Sequence, residues 1–143
     1  MNIHQISVFL ENRAGQLAEI TALLAKEHVD IRAISIAETA DYGLVRMIVD
    51  NSYKASSILL EHGDILSMTP VWAVEVPDRP GGLSEMLAVL AERHIDVEYM
   101  YSLFAHQEGK AYMVLRISDE PNFLSAMGEH KIKLMTKEEL GLK

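Results

Sequence analysis

The sequence predicts an α+β fold in which one small unit occurs twice. Three observations lead to this: a length of 143 residues, a repeat at an offset of 66 residues, and the same strand and helix patterns in both copies. Without any gap, residues 12–50 align with residues 78–116, and 11 of the 39 aligned positions are identical. Chance would give roughly a twentieth to a tenth of positions identical for this composition. A duplicated unit is the simplest account, with predicted domains at residues 1–69 and 70–143.

Each copy begins with a strand, a glycine-containing loop and a helix. Apolar residues alternate in the strand, and a period of two predicts one buried face. The helix carries an apolar stripe at spacings of three and four residues, which is typical of packing against a sheet. The strand residues are Ile6, Val8 and Leu10, with Trp72, Val74 and Val76. The helix residues are Leu17, Ile20 and Leu24, with Leu83, Met86, Leu87 and Leu90.

The rest of each copy predicts a hairpin, a second helix and a short last strand. A second strand begins at Ile31 or Val97, and a turn at 41–43 or 107–109 leads into the third. Second helices are predicted at about 53–62 and 121–130, and last strands at about 65–68 and 132–135. The order β-α-β-β-α-β is the ferredoxin-like pattern. Because so small a unit buries only about 60% of its chain surface, we expect two tandem units to pack together.

Composition excludes several kinds of function. The 13 basic against 21 acidic residues give a net charge of −8, which argues against a nucleic-acid surface. The chain has no cysteine, so thiolate catalysis, thiolate zinc sites and iron–sulfur clusters are excluded. No apolar run approaches the roughly 20 residues that cross a membrane. We therefore expect a cytoplasmic protein with no cofactor and with neither nucleic acid nor membrane as a partner.

The two loops carry a more specific resemblance. The segment Asp78-Arg79-Pro80-Gly81-Gly82-Leu83 corresponds to Asn12-Arg13-Ala14-Gly15-Gln16-Leu17, and each copy later has His-Val/Ile-Asp at the start of its second strand. This pattern resembles the ACT domain, a small regulatory module that binds amino acids in many metabolic enzymes. The resemblance covers nearly the whole chain twice, although Ala14 stands where the family usually has proline. It implies a stand-alone tandem pair, not an enzyme, that holds a free amino acid between two modules.

The chemistry of the loops allows such a ligand. First-turn N–H groups and the helix dipole suit a carboxylate, and Gly15 or Gly81–Gly82 lets it approach the backbone. The side chain of Asn12 or Asp78 could accept a hydrogen bond from an ammonium group. The other candidate contacts are the loop residues listed above, Ile31 and Val97 at the strand starts, and Tyr99 and Tyr101 as a pocket wall. The alternative is that the polar residues only cap the helices and the glycines only satisfy turn geometry.

Other candidate residues favour structural interpretations. Arg13 and Arg79 could bind a carboxylate, but an arginine beside a turn more often pairs with a nearby acid. The repeated histidines, His28 and His94, suit a helix C-terminus better than a metal site because no third ligand recurs. No known catalytic motif is present. The predicted signal passes to a regulated enzyme partner or through self-association, and the alternative function is a protein-interaction module without a ligand.

Overall fold

The structure is a computed structural model that describes residues 2–11, 13–38 and 41–143. These residues form two units. The first unit is His4–Thr69 together with Gly141–Lys143, and the second is Pro70–Leu140 together with the N-terminal residues up to Ile3.

Three strands of the first unit pair around a central β3. The elements are β1 (Ile3–Leu10), α1 (Gln16–Lys26), β2 (Ile31–Glu38), β3 (Gly43–Val49), α2 (Ser52–His62) and the beginning of β4 (Leu66–Pro77). Strand β3 pairs antiparallel with β1 on one side and with β2 on the other. Phe9 N–H donates to Ile65 C=O at 2.9 Å, which joins β1 to the segment leading into β4.

The second unit repeats this order. After the rest of β4 come α3 (Gly82–Glu92), β5 (Val97–Ser102), β6 (Lys110–Ile117) and α4 (Glu120–Glu129). Strand β6 pairs antiparallel with β4 and with β5. Glu75 N–H donates to Lys133 C=O at 3.0 Å, just as Phe9 does to Ile65 in the first unit. The predicted α+β class and ferredoxin-like units are confirmed.

Each unit has its own apolar core between one face of its sheet and its two helices. In the first unit, Ile6 and Met47 pack with Ile20 of α1 and Leu59 of α2. In the second, Trp72, Val74 and Leu115 pack with Met86 of α3 and Phe123 of α4. Both helices of a unit therefore cover the same sheet face, as the helix stripes predict.

The expectation of only one buried face per strand is wrong for β1 and β4. Gln5 and Ser7 are buried although they alternate with Ile6 and Val8, and the Gln5 amide donates to Ser7 Oγ at 3.1 Å. Val71 and Ala73 are buried although they alternate with Trp72 and Val74. The uninterrupted apolar run from Val71 to Val74 is typical of a strand that is buried on both faces.

Two predicted strand boundaries also change. Instead of ending near Met68 and restarting at Val71, β4 runs without interruption from Leu66 to Pro77. A strand can hold a proline where no N–H is needed for pairing, so Pro70 is tolerated within β4. The Pro70 carbonyl accepts a hydrogen bond from Arg116 Nη1 at 2.8 Å. The strand predicted at 132–135 shrinks to a single bridge between Val74 and Leu134. A turn follows at once, in which Thr136 N–H donates to Glu139 Oε1 and Glu139 N–H donates to Thr136 Oγ1.

The repeated histidines have a backbone explanation. His28 and His94 have φ of 59° and 55°, in the left-handed region where histidine is enriched. Each follows the end of a helix. The backbone N–H of the next residue donates to a carbonyl of the last helical turn, as Val29 N–H does to Leu24 C=O at 2.9 Å. This is the hydrogen-bond pattern of a Schellman motif. The second helices end in the same way, with Gly63 and Lys131 at the left-handed position.

No helix within the described residues is both long and apolar enough to cross a membrane.

Candidate functional site

The glycine before the first helix has the same backbone conformation in both units. Gly15 and Gly81 precede α1 and α3 with φ of 88° and 90°, a region that a side chain rarely enters. The glycines themselves are the N-cap residues, so Asp78, three residues before Gly81, is not the N-cap of α3. Its backbone N–H instead donates to Gly109 C=O at 3.0 Å. Asn12, the corresponding candidate in the first unit, lies outside the described residues.

The residue after each loop glycine contacts the backbone just before the loop, in a different way in each unit. A Cβ on Gly82 would lie 3.0 Å from the Pro77 carbonyl carbon and closer still to its oxygen. The corresponding residue of the first unit, Gln16, is buried, and its Oε1 accepts a hydrogen bond from Glu11 N–H at 2.6 Å. Proline has no N–H to satisfy, so the second unit needs no side chain there. Glycine is required at position 82 because there is no room for a Cβ beside Pro77. The Gly82 N–H already donates to Arg79 C=O at 3.0 Å.

The hydrogen bond of Gln16 makes a prediction for the first loop. Gln16→Ala leaves the Glu11 N–H without its acceptor, and we expect a loss of about 1–3 kcal/mol in the free energy of unfolding. Gln16→Glu keeps an acceptor oxygen and places an acid in the first turn of α1, where the helix dipole favours it. Denaturant unfolding followed by circular dichroism measures both. Equal stability of the Ala variant and the unmodified protein would contradict the role given to this hydrogen bond.

The repeated arginines pair with repeated acids. Arg13 Nη2 lies 3.0 Å from Glu19 Oε2, and Arg79 Nη2 lies 2.9 Å from both carboxylate oxygens of Glu85. In the first unit, the hydrogen bond and charge of Glu19 raise the pKa of Arg13, and Arg13 lowers the pKa of Glu19. These pairs are exposed, so each contributes little to stability. A ligand carboxylate would have to compete with Glu19 or Glu85 for its arginine.

A cleft lies at the same place in both units, where the first strand ends, the first helix begins and the second helix ends. The first cleft, of about 360 Å³, is lined by Phe9, Leu10, Glu11, Arg13, Gln16, Asp41, Tyr42, His62, Gly63, Asp64 and Ile65. The second cleft, of about 470 Å³, is lined by Glu75, Val76, Pro77, Gly82, Glu85, Met86, Val89, Gly109, Lys110, His130, Lys131, Ile132 and Lys133.

Only a few of the predicted site residues line these clefts. Arg13 and Gln16 line the first cleft and Gly82 lines the second. Asp78, Arg79, Pro80 and Gly81 are exposed on the loop beside the second cleft but do not line it. The other loop residues that line neither cleft are Ala14, Gly15, Leu17 and Leu83.

The predicted strand residues lie elsewhere in each unit. Ile31 pairs with Val49, whereas Leu10, at the end of β1, pairs with Gly43, so the start of β2 and the first loop lie at opposite ends of the sheet. In the second unit, Val97 pairs with Ile117, at the end of β6. Pro77, just before the second loop, pairs with Lys110 at the beginning of β6, so Val97 is likewise at the opposite end of the sheet. Tyr99 and Tyr101 stack with ring centroids 6.5 Å apart, but they line neither cleft. Within one unit, a ligand at the loop does not reach these residues.

The clefts also contain residues that sequence reasoning missed. Lys110 Nζ lies 3.4 Å from Glu75 Oε1 in the second cleft, and His62 Nδ1 lies 2.8 Å from Asp64 Oδ2 in the first. The C-terminal residues of α2 and α4, Glu61-His62 and Glu129-His130, gave no signal because they match at an offset of 68 residues, outside the gapless repeat at 66. Among the described residues, no group of three or more acidic or histidine side chains could hold a metal ion.

Comparisons with known proteins agree with this architecture. Protein BT0572 from Bacteroides thetaiotaomicron is 35% identical, with 99% of this chain and 96% of that chain covered and a TM-score of 0.90. The ligand-free regulatory subunit of aspartate kinase from Thermus thermophilus shares the fold at 17% identity, with coverage of 90% and 91% and a TM-score of 0.65. The regulatory subunit of aspartate kinase from Thermus flavus does so at 15% identity, with 92% of each chain covered and a TM-score of 0.61.

No curated protein matches the chain in sequence. A family model does match: the model described as an ACT domain pair covers residues 1–141. The resemblance inferred from the two loops is thereby confirmed. The chain belongs to the ACT domain pair family.

Proposed function

We propose that this protein is a non-catalytic regulatory protein that binds a free amino acid and passes the signal to an enzyme partner or through self-association. The observation that carries the proposal is the match of an ACT domain pair to residues 1–141, with the same glycine conformation in both loops. We take residues 1–69 and 70–143 as the two ACT modules and the cytoplasm as their place of action. Two proteins with this fold are regulatory subunits of aspartate kinase, which supports a regulatory role.

The second loop is the better candidate for the amino-acid site. Because the Gly82 N–H already has a partner, the carboxylate would meet the next first-turn N–H groups, those of Leu83 and Ser84. Asp78 is exposed and charged, so its carboxylate can accept a hydrogen bond from the ammonium group. Pro80 stiffens the loop and lowers the ordering cost of binding. A ligand shared by two adjoining modules, with contacts at Ile31, Val97, Tyr99 or Tyr101, stays a prediction.

Calorimetric titration with the twenty amino acids tests the proposal, and Asp78→Ala tests the site. Loss of a charge-assisted hydrogen bond costs about 1.5–3 kcal/mol, so we expect affinity to fall roughly ten- to hundredfold. Glu92→Ala removes the same charge from an exposed position at the far end of α3 and should leave binding unchanged. If no amino acid binds below about 1 mM, the protein-interaction alternative replaces this function. If folded Asp78→Ala binds like the unmodified protein, the site is wrong.

A further inference from the structure

Three large apolar side chains stand open to solvent around the first cleft. Phe9, Tyr42 and Ile65 are 44%, 41% and 70% exposed. The rings of Phe9 and Tyr42 are in contact, with centroids 4.7 Å apart and planes inclined by 32°. Single exposed apolar residues are common on proteins, but a group gathered at a concave site marks a binding surface.

The duplicated unit supplies an internal comparison. The residues of the second unit that correspond to Phe9, Tyr42 and Ile65 are Glu75, Lys110 and Lys133. The correspondence is structural, since Phe9 N–H donates to Ile65 C=O and Glu75 N–H donates to Lys133 C=O. Tyr42 and Lys110 each lie one residue before the strand partner of Leu10 or Val76. The fold therefore accepts charged side chains at all three places. Apolar residues at the first cleft are not demanded by folding, and a binding role accounts for them.

The charged residues of the first cleft are mostly acidic. Glu11, Asp41 and Asp64 are among its lining residues, against the single arginine Arg13. Arg13 already lies near two carboxylates, at 3.0 Å from Glu19 and 3.6 Å from Glu11. The Asp64 side chain is only 6% exposed and is bonded to His62. Glu11 and Asp41 are exposed and can face a positive charge.

We propose that the first cleft binds a small molecule that carries both an aromatic ring and a protonated amine. The ring packs on Phe9, Tyr42 and Ile65, while the ammonium group lies near Asp41 and Glu11. An ammonium group beside the aromatic rings also gains cation–π attraction. Aromatic amino acids belong to this class, and that identification alone rests on the proposed function.

The experiment uses phenethylamine as the probe and separates ring from charge. Calorimetric titration compares it with 2-phenylethanol, which keeps the ring without the charge, and with ethylamine, which keeps the charge without the ring. We expect phenethylamine to bind at least tenfold more tightly than either one. L-Phenylalanine is a fourth arm that adds a carboxylate. Absence of phenethylamine and L-phenylalanine binding below about 1 mM overturns the proposal.

The decisive variant is Phe9→Glu/Tyr42→Glu, which replaces both aromatic rings with acidic side chains. It adds two negative charges, so a purely electrostatic site would bind phenethylamine more tightly. A site that depends on the rings should instead lose at least tenfold in affinity. Tyr53→Glu is the matched control, because Tyr53 is an aromatic residue of α2, 69% exposed, that does not line the cleft. If the double variant fails to fold, Phe9→Leu/Tyr42→Leu keeps the apolar character and should also weaken binding.

The outcomes separate this inference from the proposed function. Phenethylamine binding that depends on Phe9 and Tyr42, without binding of any amino acid, supports the inference and refutes the proposed function. Amino-acid binding that is weakened by Asp78→Ala but unchanged in Phe9→Glu/Tyr42→Glu overturns the inference and leaves the proposed function standing. Unchanged or tighter phenethylamine binding in the double variant also overturns the inference.

Discussion

Replacing Gly82 by alanine is expected to destabilise the second unit by about 3 kcal/mol or more. Overpacking usually costs about 1–3 kcal/mol, but here the new methyl group would meet the carbonyl of Pro77, a backbone group that cannot rotate away. The end of β4 and the beginning of α3 would have to separate. Trp72 is the single tryptophan of the chain and is buried in this unit, so its fluorescence during denaturant unfolding reports the change.

Gly128→Ala is the matched control for this substitution. Gly128 lies inside α4, and a Cβ added there would meet nothing within 4 Å. Because alanine is the better helix residue, we expect a gain of about 0.5–1 kcal/mol. The two glycine-to-alanine changes in one unit should thus shift the unfolding midpoint in opposite directions. Equal midpoints would show that the close packing of Gly82 on Pro77 has no energetic importance.

Phe123→Ala is expected to cost about 3–5 kcal/mol, the range for truncating a fully buried phenylalanine. Phe123 lies in the core of the second unit, with its ring centroid 5.8 Å from that of Trp72. Its removal leaves a cavity beside the indole ring and exposes core surface as the unit loosens. We expect a large drop in the unfolding midpoint and a change in the native Trp72 emission.

The neighbouring residue provides the comparison. Leu124 follows Phe123 in α4 but is 40% exposed, so Leu124→Ala removes side-chain atoms that are largely in water already. We expect it to cost less than about 1 kcal/mol. A cost for Phe123→Ala no larger than that for Leu124→Ala would contradict the assignment of the core.

The order of the elements could be predicted from the sequence because it depends on local patterns. A strand period of two and a helix spacing of three and four residues are written into short segments such as 6–10 and 17–24. The repeat then doubled the evidence for every element. The two glycines of the loops were found in the same way, because each holds a φ near 90° that other residues avoid. These features need no knowledge of which distant segments meet.

The functional geometry depends on contacts between residues far apart in the chain. The first cleft joins residues near position 10 with residues near 42 and 64, which share no local pattern. Sequence alone determined the two ferredoxin-like units and their glycine loops. Only the tertiary structure decided which side chains meet at the clefts, because strand register and helix packing bring them together from separate segments.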